Sequence, residues 1–353
     1  MKKITTLFFL LISLITFGQT YSGPESTEYD YANNRWLIAN TTSHEVLARN
    51  TSGVLSVFVT GLVSGPYGIE IVGNTLYCCS GASIKGYLLS TGANVFNLNV
   101  GATFLNGLAH DTSGNLFATD FSAKKIFKIN IATQAFSAIA SSLVQSPNGI
   151  VFDQTNNRCV FVNWGANAPI KAIDVTTNVV TTLLSTTLSN IDGITRDGSG
   201  NYYISTWGGQ NVLKYDSAFA NPAVTITTGL SNPADLFYNT VNNVLAIPNS
   251  GNNTVTFLDL SLRTNESDWL NSLSVYPNPA NTTAFVKFDL NAPMPISYQI
   301  VSVDGRVVAT NNLSDFQSNG VLSIATSHLT TGLYYLTFKA NENSKTIPLL
   351  VRN

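Results

Sequence analysis

Glu25, Asn106, Asn148 and Asp192 each stand immediately before a residue that opens a short strand-like run, and together they supply two carboxylates and two amides. A hard divalent cation such as calcium takes about six to eight oxygens, of which two carboxylates and a few carbonyls or waters are a typical set. No His or Cys shares these positions, which disfavours zinc and copper. Asn-Gly and Asp-Gly are also turn dipeptides, and polar residues line any wet channel, so Asn106, Asn148 and Asp192 have a second explanation. Glu25 tips the balance toward a cation, because Glu is not a turn former. Beside a bound ion, Asp192 is the candidate to orient or deprotonate an attacking water. Asn106 and Trp207 are candidates to touch substrate, although Trp207 is equally a packing aromatic.

These residues share a site only if a repeat brings them together. The openers are Ser26, Gly68, Gly107, Gly149, Gly193 and Asp235, spaced 42, 39, 42, 44 and 42 residues apart. Six copies of that length match the period of a four-stranded propeller blade. Each copy continues through an Asn/Gly/Ser turn such as Thr112-Ser113-Gly114-Asn115, a second strand, a third such as Ile126–Asn130, and a Thr/Ser/Val-rich fourth. The recurrent Asp or Asn at 30, 111, 153, 197 and 239 reads as turn chemistry. In a propeller the innermost strands face one axis, so the residues before the openers (Glu25, Tyr67, Asn106, Asn148, Asp192 and Ala234) converge on one mouth. The sixth copy lacks a fourth strand, and closure predicts that Thr20–Gly23 supplies it, since an open ring leaves an unpaired edge.

Only 11% of the 353 residues are charged and the net charge is −2, so no surplus of cations exists to neutralise phosphates and a nucleic-acid partner is excluded. Hydrophobic residues at 44% exclude disorder, and 33 Tyr and Phe against 2 Met favour strands. Residues 1–19 carry Lys2-Lys3, an apolar run and a small-residue exit, the layout of a cleavable secretory signal. Its run of about 14 residues is short of a membrane span, no later segment is apolar enough to span, and the mature chain reads as a monomer. Cys78 and Cys79 are neighbours on one strand and face opposite sides, so they and Cys159 read as packed free thiols.

After a linker at 261–272, residues 273–353 read as seven short strands: Leu273–Tyr276, Thr283–Asp289, Ser297–Val303, Arg306–Thr310, Val321–Ala325, Gly332–Lys339 and Lys345–Val351. Asp304-Gly305 is a hairpin turn, and an immunoglobulin-like sandwich is the favoured fold. The full architecture is therefore all-β: a six-bladed β-propeller over 20–260 followed by a small immunoglobulin-like β-sandwich. Ser274-Val275-Tyr276-Pro277-Asn278-Pro279, Asp304-Gly305-Arg306-Val307 and His328 to Tyr335 before a basic last strand resemble the C-terminal sorting domain of type IX secretion cargo. That resemblance implies export through the periplasm by the type IX machinery, which engages residues 273–353, and release or attachment at the outer cell surface.

The middle resembles the gluconolactonase/senescence-marker-protein (regucalcin) family of six-bladed propellers, with paraoxonase and diisopropylfluorophosphatase as more distant relatives. The carrying residues are Pro24-Glu25-Ser26, Pro147-Asn148-Gly149-Ile150, and Ile191-Asp192-Gly193-Ile194 running on to Thr206-Trp207-Gly208. The resemblance implies one divalent metal on Glu25, Asn148 and Asp192, with Asn106 as the third-blade counterpart, and calcium-dependent hydrolysis of a lactone or related ester. Two departures bear on substrate. The Arg that sugar-lactone enzymes place shortly before the third-blade Asn is missing from Thr103-Phe104-Leu105-Asn106, and Ala234-Asp235 replaces the paraoxonase histidine pair. The alternative is a non-catalytic propeller that binds a glycan, peptide or protein.

Overall fold

The structure is a computed structural model that describes residues 19–261, 269–341 and 343–353. The expected signal at 1–19 lies outside these residues but for its last position, as does most of the expected linker at 261–272. The chain divides into two compact units, one ending at Leu260 and one starting at Ser261.

In the first unit the strands fall into six consecutive antiparallel sheets, each meandering outward from an inner strand. The inner strands are Pro24–Asp30, Ile69–Val72, Leu105–His110, Ser146–Asp153, Ile191–Arg196 and Phe237–Asn239. Each touches the next, and the sixth touches the first, so the ring closes. Burial follows position within the blade. The second strand Asn115–Asp120 is buried at nearly every residue because neighbouring blades cover both faces, whereas the outer Phe136–Ala140 starts with three exposed residues. The core is accordingly six wedges, one between each pair of blades. Leu37 and Leu76 lie in the first wedge, Ile84 and Leu116 in the second, Phe117 and Phe161 in the third. Cys78 and Cys79, free and buried, enter different wedges, as opposite faces of one strand require.

Thr20–Gly23 does not become a fourth strand of blade six, which has three. The Gly23 and Ser22 carbonyls instead accept from Thr41 and Thr42 of blade one, while Gly23 N–H reaches Asn253 Oδ1 of blade six at 2.7 Å. Aromatic packing makes a fourth strand unnecessary for closure. Trp36 of blade one lies edge-on to Phe237 and against Phe257 of blade six, with ring centroids 6.2 and 5.3 Å apart.

The second unit is a two-layer sandwich. Two of its strands, Thr283–Ser302 and Val307–Ala325, are each about twice the expected length and pair along most of it. Their register breaks between Asp289 and Met294, so the first half of Thr283–Ser302 pairs with Leu270–Tyr276 and the second half with Gly332–Ala340. Four of the seven expected strands are thus halves of two bent ones. Phe288 from the first half meets Phe338 at 5.1 Å inside a single core. Gly305, at φ +84°, makes the expected turn between Ser302 and Arg306.

Candidate metal centre at one mouth of the ring

A single backbone device presents the candidate ligands. The pairing of inner and second strands slips at Pro24/Ser26, between Leu105 and Leu108, at Pro147/Ile150 and at Ile191/Ile194. Glu25, Asn106, Asn148 and Asp192 therefore each occupy a β-bulge, the irregularity that re-aims a side chain out of a sheet's alternation. The openers that follow Asn106, Asn148 and Asp192 are glycines where inner strands crowd. A Cβ on Gly149 would lie 2.7 Å from the Asp192 carbonyl oxygen and 2.8 Å from Gly193 Cα.

Opener and ligand rows are also stitched around the ring. Gly68 N–H donates to the Asn106 carbonyl at 2.7 Å, and Asp235 N–H to the Glu25 carbonyl at 2.8 Å. In two other blades a hydroxyl relays the link. Gly107 N–H donates to Thr119, which donates to the Asn148 carbonyl; Gly193 N–H donates to Ser205, which donates to the Ala234 carbonyl. Consecutive ligand positions are thus fixed by backbone rather than by loops.

Asn148 and Asp192 meet directly: Asn148 Nδ2 donates to Asp192 Oδ2 at 3.2 Å. Both are almost fully buried, and Asp192 Oδ1 has no hydrogen-bond partner. Burial, then the negative charges of Glu25 and Asp235, push the Asp192 carboxyl well above the usual range, with the Asn148 hydrogen bond opposing. Burial raises Glu25 to about 7 and Asp235 to about 8. Tyr67 is raised by its own burial and by Glu25, so the charge of Glu25 is felt in blades two, five and six. Asn106 is buried in its expected place, and Ala234 contributes only backbone.

Three carboxyls that repel one another, one of them with an orphaned buried oxygen, form an arrangement whose repulsion a cation would relieve. With its Nδ2 turned to Asp192, Asn148 keeps its amide oxygen for such an ion. The donor set fits calcium in chemistry, although among the described residues no three His, Cys, Asp or Glu side chains form a metal-holding cluster by themselves. An amide and waters would have to complete the shell.

Sequence reasoning passed over Asp235, reading it as an opener with Ala234 in the ligand row. It accepts from Ser26 Oγ at 3.1 Å, so the two non-glycine openers bind each other across the seam of blades six and one. The reasoning also missed a line of rings around this mouth. Tyr67, Phe104, Phe121, Trp164 and Trp207 follow one another at centroid distances of 4.6, 5.7, 6.1 and 5.1 Å. Phe121 and Trp207 follow the ends of second strands at Asp120 and Thr206, and Trp164 is the last residue of the second strand Arg158–Trp164, so the spacing that gave the openers would have found them. Trp207 N–H donates to the Asn190 carbonyl, which places Trp207 beside the strand start that carries Asp192, and its indole Nε1 is buried without a partner.

Residues 274–352 match the family model of the secretion system C-terminal sorting domain. The match marks the chain for export through a type IX secretion system to the cell surface or the medium. No curated protein matches the chain. Among solved structures, the propeller resembles a calcium-binding regucalcin from Agrobacterium tumefaciens, with 16% identity and TM-score 0.55 over 65% of this chain and 83% of that one. It also resembles a gluconolactonase from Xanthomonas campestris, with 16% identity and TM-score 0.57 over 65% and 84%. A nidogen/laminin complex structure matches with 17% identity and TM-score 0.59 over 65% and 90%. At these identities the likeness establishes a shared propeller fold, and a fold by itself does not fix a function. No helix among the described residues is long and apolar enough to cross a membrane.

Proposed function

We propose that the propeller is an exported calcium-dependent hydrolase of lactones or related esters, its ion held by Glu25, Asn148 and Asp192 with Asn106 beside them. The observation that carries the reading is the orphaned, buried Asp192 Oδ1 in a carboxyl that the negative charges of Glu25 and Asp235 push up further. A bound ion would polarise the substrate carbonyl and stabilise its oxyanion. Asp192, kept ionised by the ion, would orient the attacking water and take its proton. Trp207 and Asn106 border the substrate. The expected leader at 1–19 delivers the chain to the periplasm before the sorting domain carries it outward.

The experiment is a lactone and ester panel with the full chain, with calcium and with chelator, for wild type and Asp192→Ala. Calcium-dependent turnover abolished by Asp192→Ala supports the reading; no turnover, or turnover indifferent to Asp192, removes it. The second reading, a non-catalytic propeller that holds a glycan, peptide or protein, is favoured by the five-ring arc, because half-buried aromatics at a channel mouth suit binding without any chemistry. Glycan or protein capture without turnover would support it.

A further inference from the structure

A second group of charged side chains lies at the other mouth of the ring. His110 and Arg196 end the inner strands that carry Asn106 and Asp192, four residues and about 13 Å of extended chain away. A cavity of about 280 Å³ opens there, lined by Glu70, His110, Val151, Phe152, Gln154 and Arg196 among others. His110 Nδ1 lies 2.6 Å from Glu70 Oε1, and among the described residues its Nε2 has no partner. Arg196 is held by Asp153 through Nη1 at 3.1 Å, while its buried Nε has no acceptor. Two cationic side chains with unused N–H groups thus border one cavity, and Val151 and Phe152 give it a half-buried apolar wall.

The donors select the ligand. Of the charged side chains, Glu70, His110 and Arg196 line the cavity, Asp111 follows His110 in sequence, and Asp153 holds both Arg158 and Arg196. Burial, then the charges of Glu70 and Asp235, push the Glu28 carboxyl well above the usual range. The hydrogen bond from Glu70 raises the His110 pKa against the opposing effect of burial, with the charges of Glu70 and Asp111 adding to it, so the imidazolium persists toward neutral pH. Glu70 and Asp153 each already engage one of the two basic side chains, so the N–H capacity left over suits the single carboxylate of a small anion rather than a phosphate with its three acceptor oxygens. The volume lies just below the usual range for ligand pockets and admits a small molecule.

We propose that this far mouth binds a small organic monocarboxylate, its carboxylate between His110 and Arg196 and its apolar body against Val151 and Phe152. The site is independent of the calcium centre, so either stands if the other fails.

The probe is phenylacetate, with the uncharged phenylacetamide as its isostere, titrated calorimetrically into the full chain. Saturable binding of phenylacetate is expected, with the amide at least about tenfold weaker because charge-assisted hydrogen bonds are roughly twice as strong as neutral ones. Affinity should be higher near about pH 6 than near about pH 9, and His110→Gln should weaken binding about tenfold and remove that pH dependence. Arg196 is tied to Asp153, so its variants are a poor test. Val151→Glu, which puts a carboxylate in the apolar wall, is the second variant and should abolish binding at a temperature where its melt shows it still folded. No saturable binding, equal binding of the amide, or wild-type affinity in either folded variant overturns the proposal.

Discussion

Asn148 spends its amide N–H on one oxygen of Asp192, and the other oxygen, Oδ1, is buried with nothing to accept from. A carboxyl so placed is expensive for the fold as an anion unless a cation completes it. Asp192→Asn should therefore raise the melting temperature of chelated protein, by a stability of about 1–3 kcal/mol, because it removes the charge and keeps the shape. The same substitution should erase the response to calcium. Thermal melts of both proteins with and without chelator check both points.

The pH dependence has a fixed sign. Glu25 and Asp235 are raised to about 7 and about 8 from the ordinary carboxylate range near about 4. Between about pH 4 and pH 8 the folded chain holds protons that the unfolded chain has lost, so chelated protein should lose stability as pH rises through this window. The contribution is complete below the unfolded pKa and gone above the folded one. Calcium should flatten the profile, because a bound ion favours the ionised carboxylates and releases their protons. Melts at half-unit steps, with and without calcium, measure it.

The glycine row is steric. Gly149→Ala would press a methyl against the Asp192 carbonyl and Gly193 Cα and should cost about 1–3 kcal/mol, while weakening calcium binding by moving Asp192. Gly198→Ala, where nothing lies within 4 Å, should change stability by less than about 0.5 kcal/mol. Urea midpoints of the two variants make the comparison.

Blade period, ring order and the meeting of Asn148 with Asp192 were legible because inner strands repeat about every 42 residues and a ring maps equal positions onto one mouth. The turn row was legible too: Asp111 accepts from the backbone of Ser113 and Asn115, and Asp197 from Ser199 and Asn201, as short acidic side chains in turns do. The bulges under Glu25, Asn106, Asn148 and Asp192 were not, because nothing in a short polar-Gly pair distinguishes a bulge from a turn. Asp235 escaped because its role comes from Ser26, 209 residues away, across the seam. Closure misled for a related reason. The wish for a fourth strand is local, whereas Trp36, Phe237 and Phe257 seal the seam through tertiary contacts. In the second unit, the bend after Asp289 breaks the alternation and reads as a strand end although the pairing resumes at Met294.

The aromatic arc separates wall from scaffold. If Trp207 borders the substrate, Trp207→Ala should raise KM for a hydrolysed lactone, or weaken a captured glycan, while calcium affinity stays within about twofold. Loss of calcium binding instead would make the Trp164–Trp207 contact a support of the ion site. Calcium titration and steady-state kinetics on the one variant distinguish these.

The most direct test is calorimetric titration of calcium into chelator-stripped full-length protein, repeated with Asn148→Ala and Asp192→Asn. One calcium per chain, with proton release near neutral pH and affinity lost in both variants, is the predicted result. No binding, or binding that both variants retain, would contradict the cation centre.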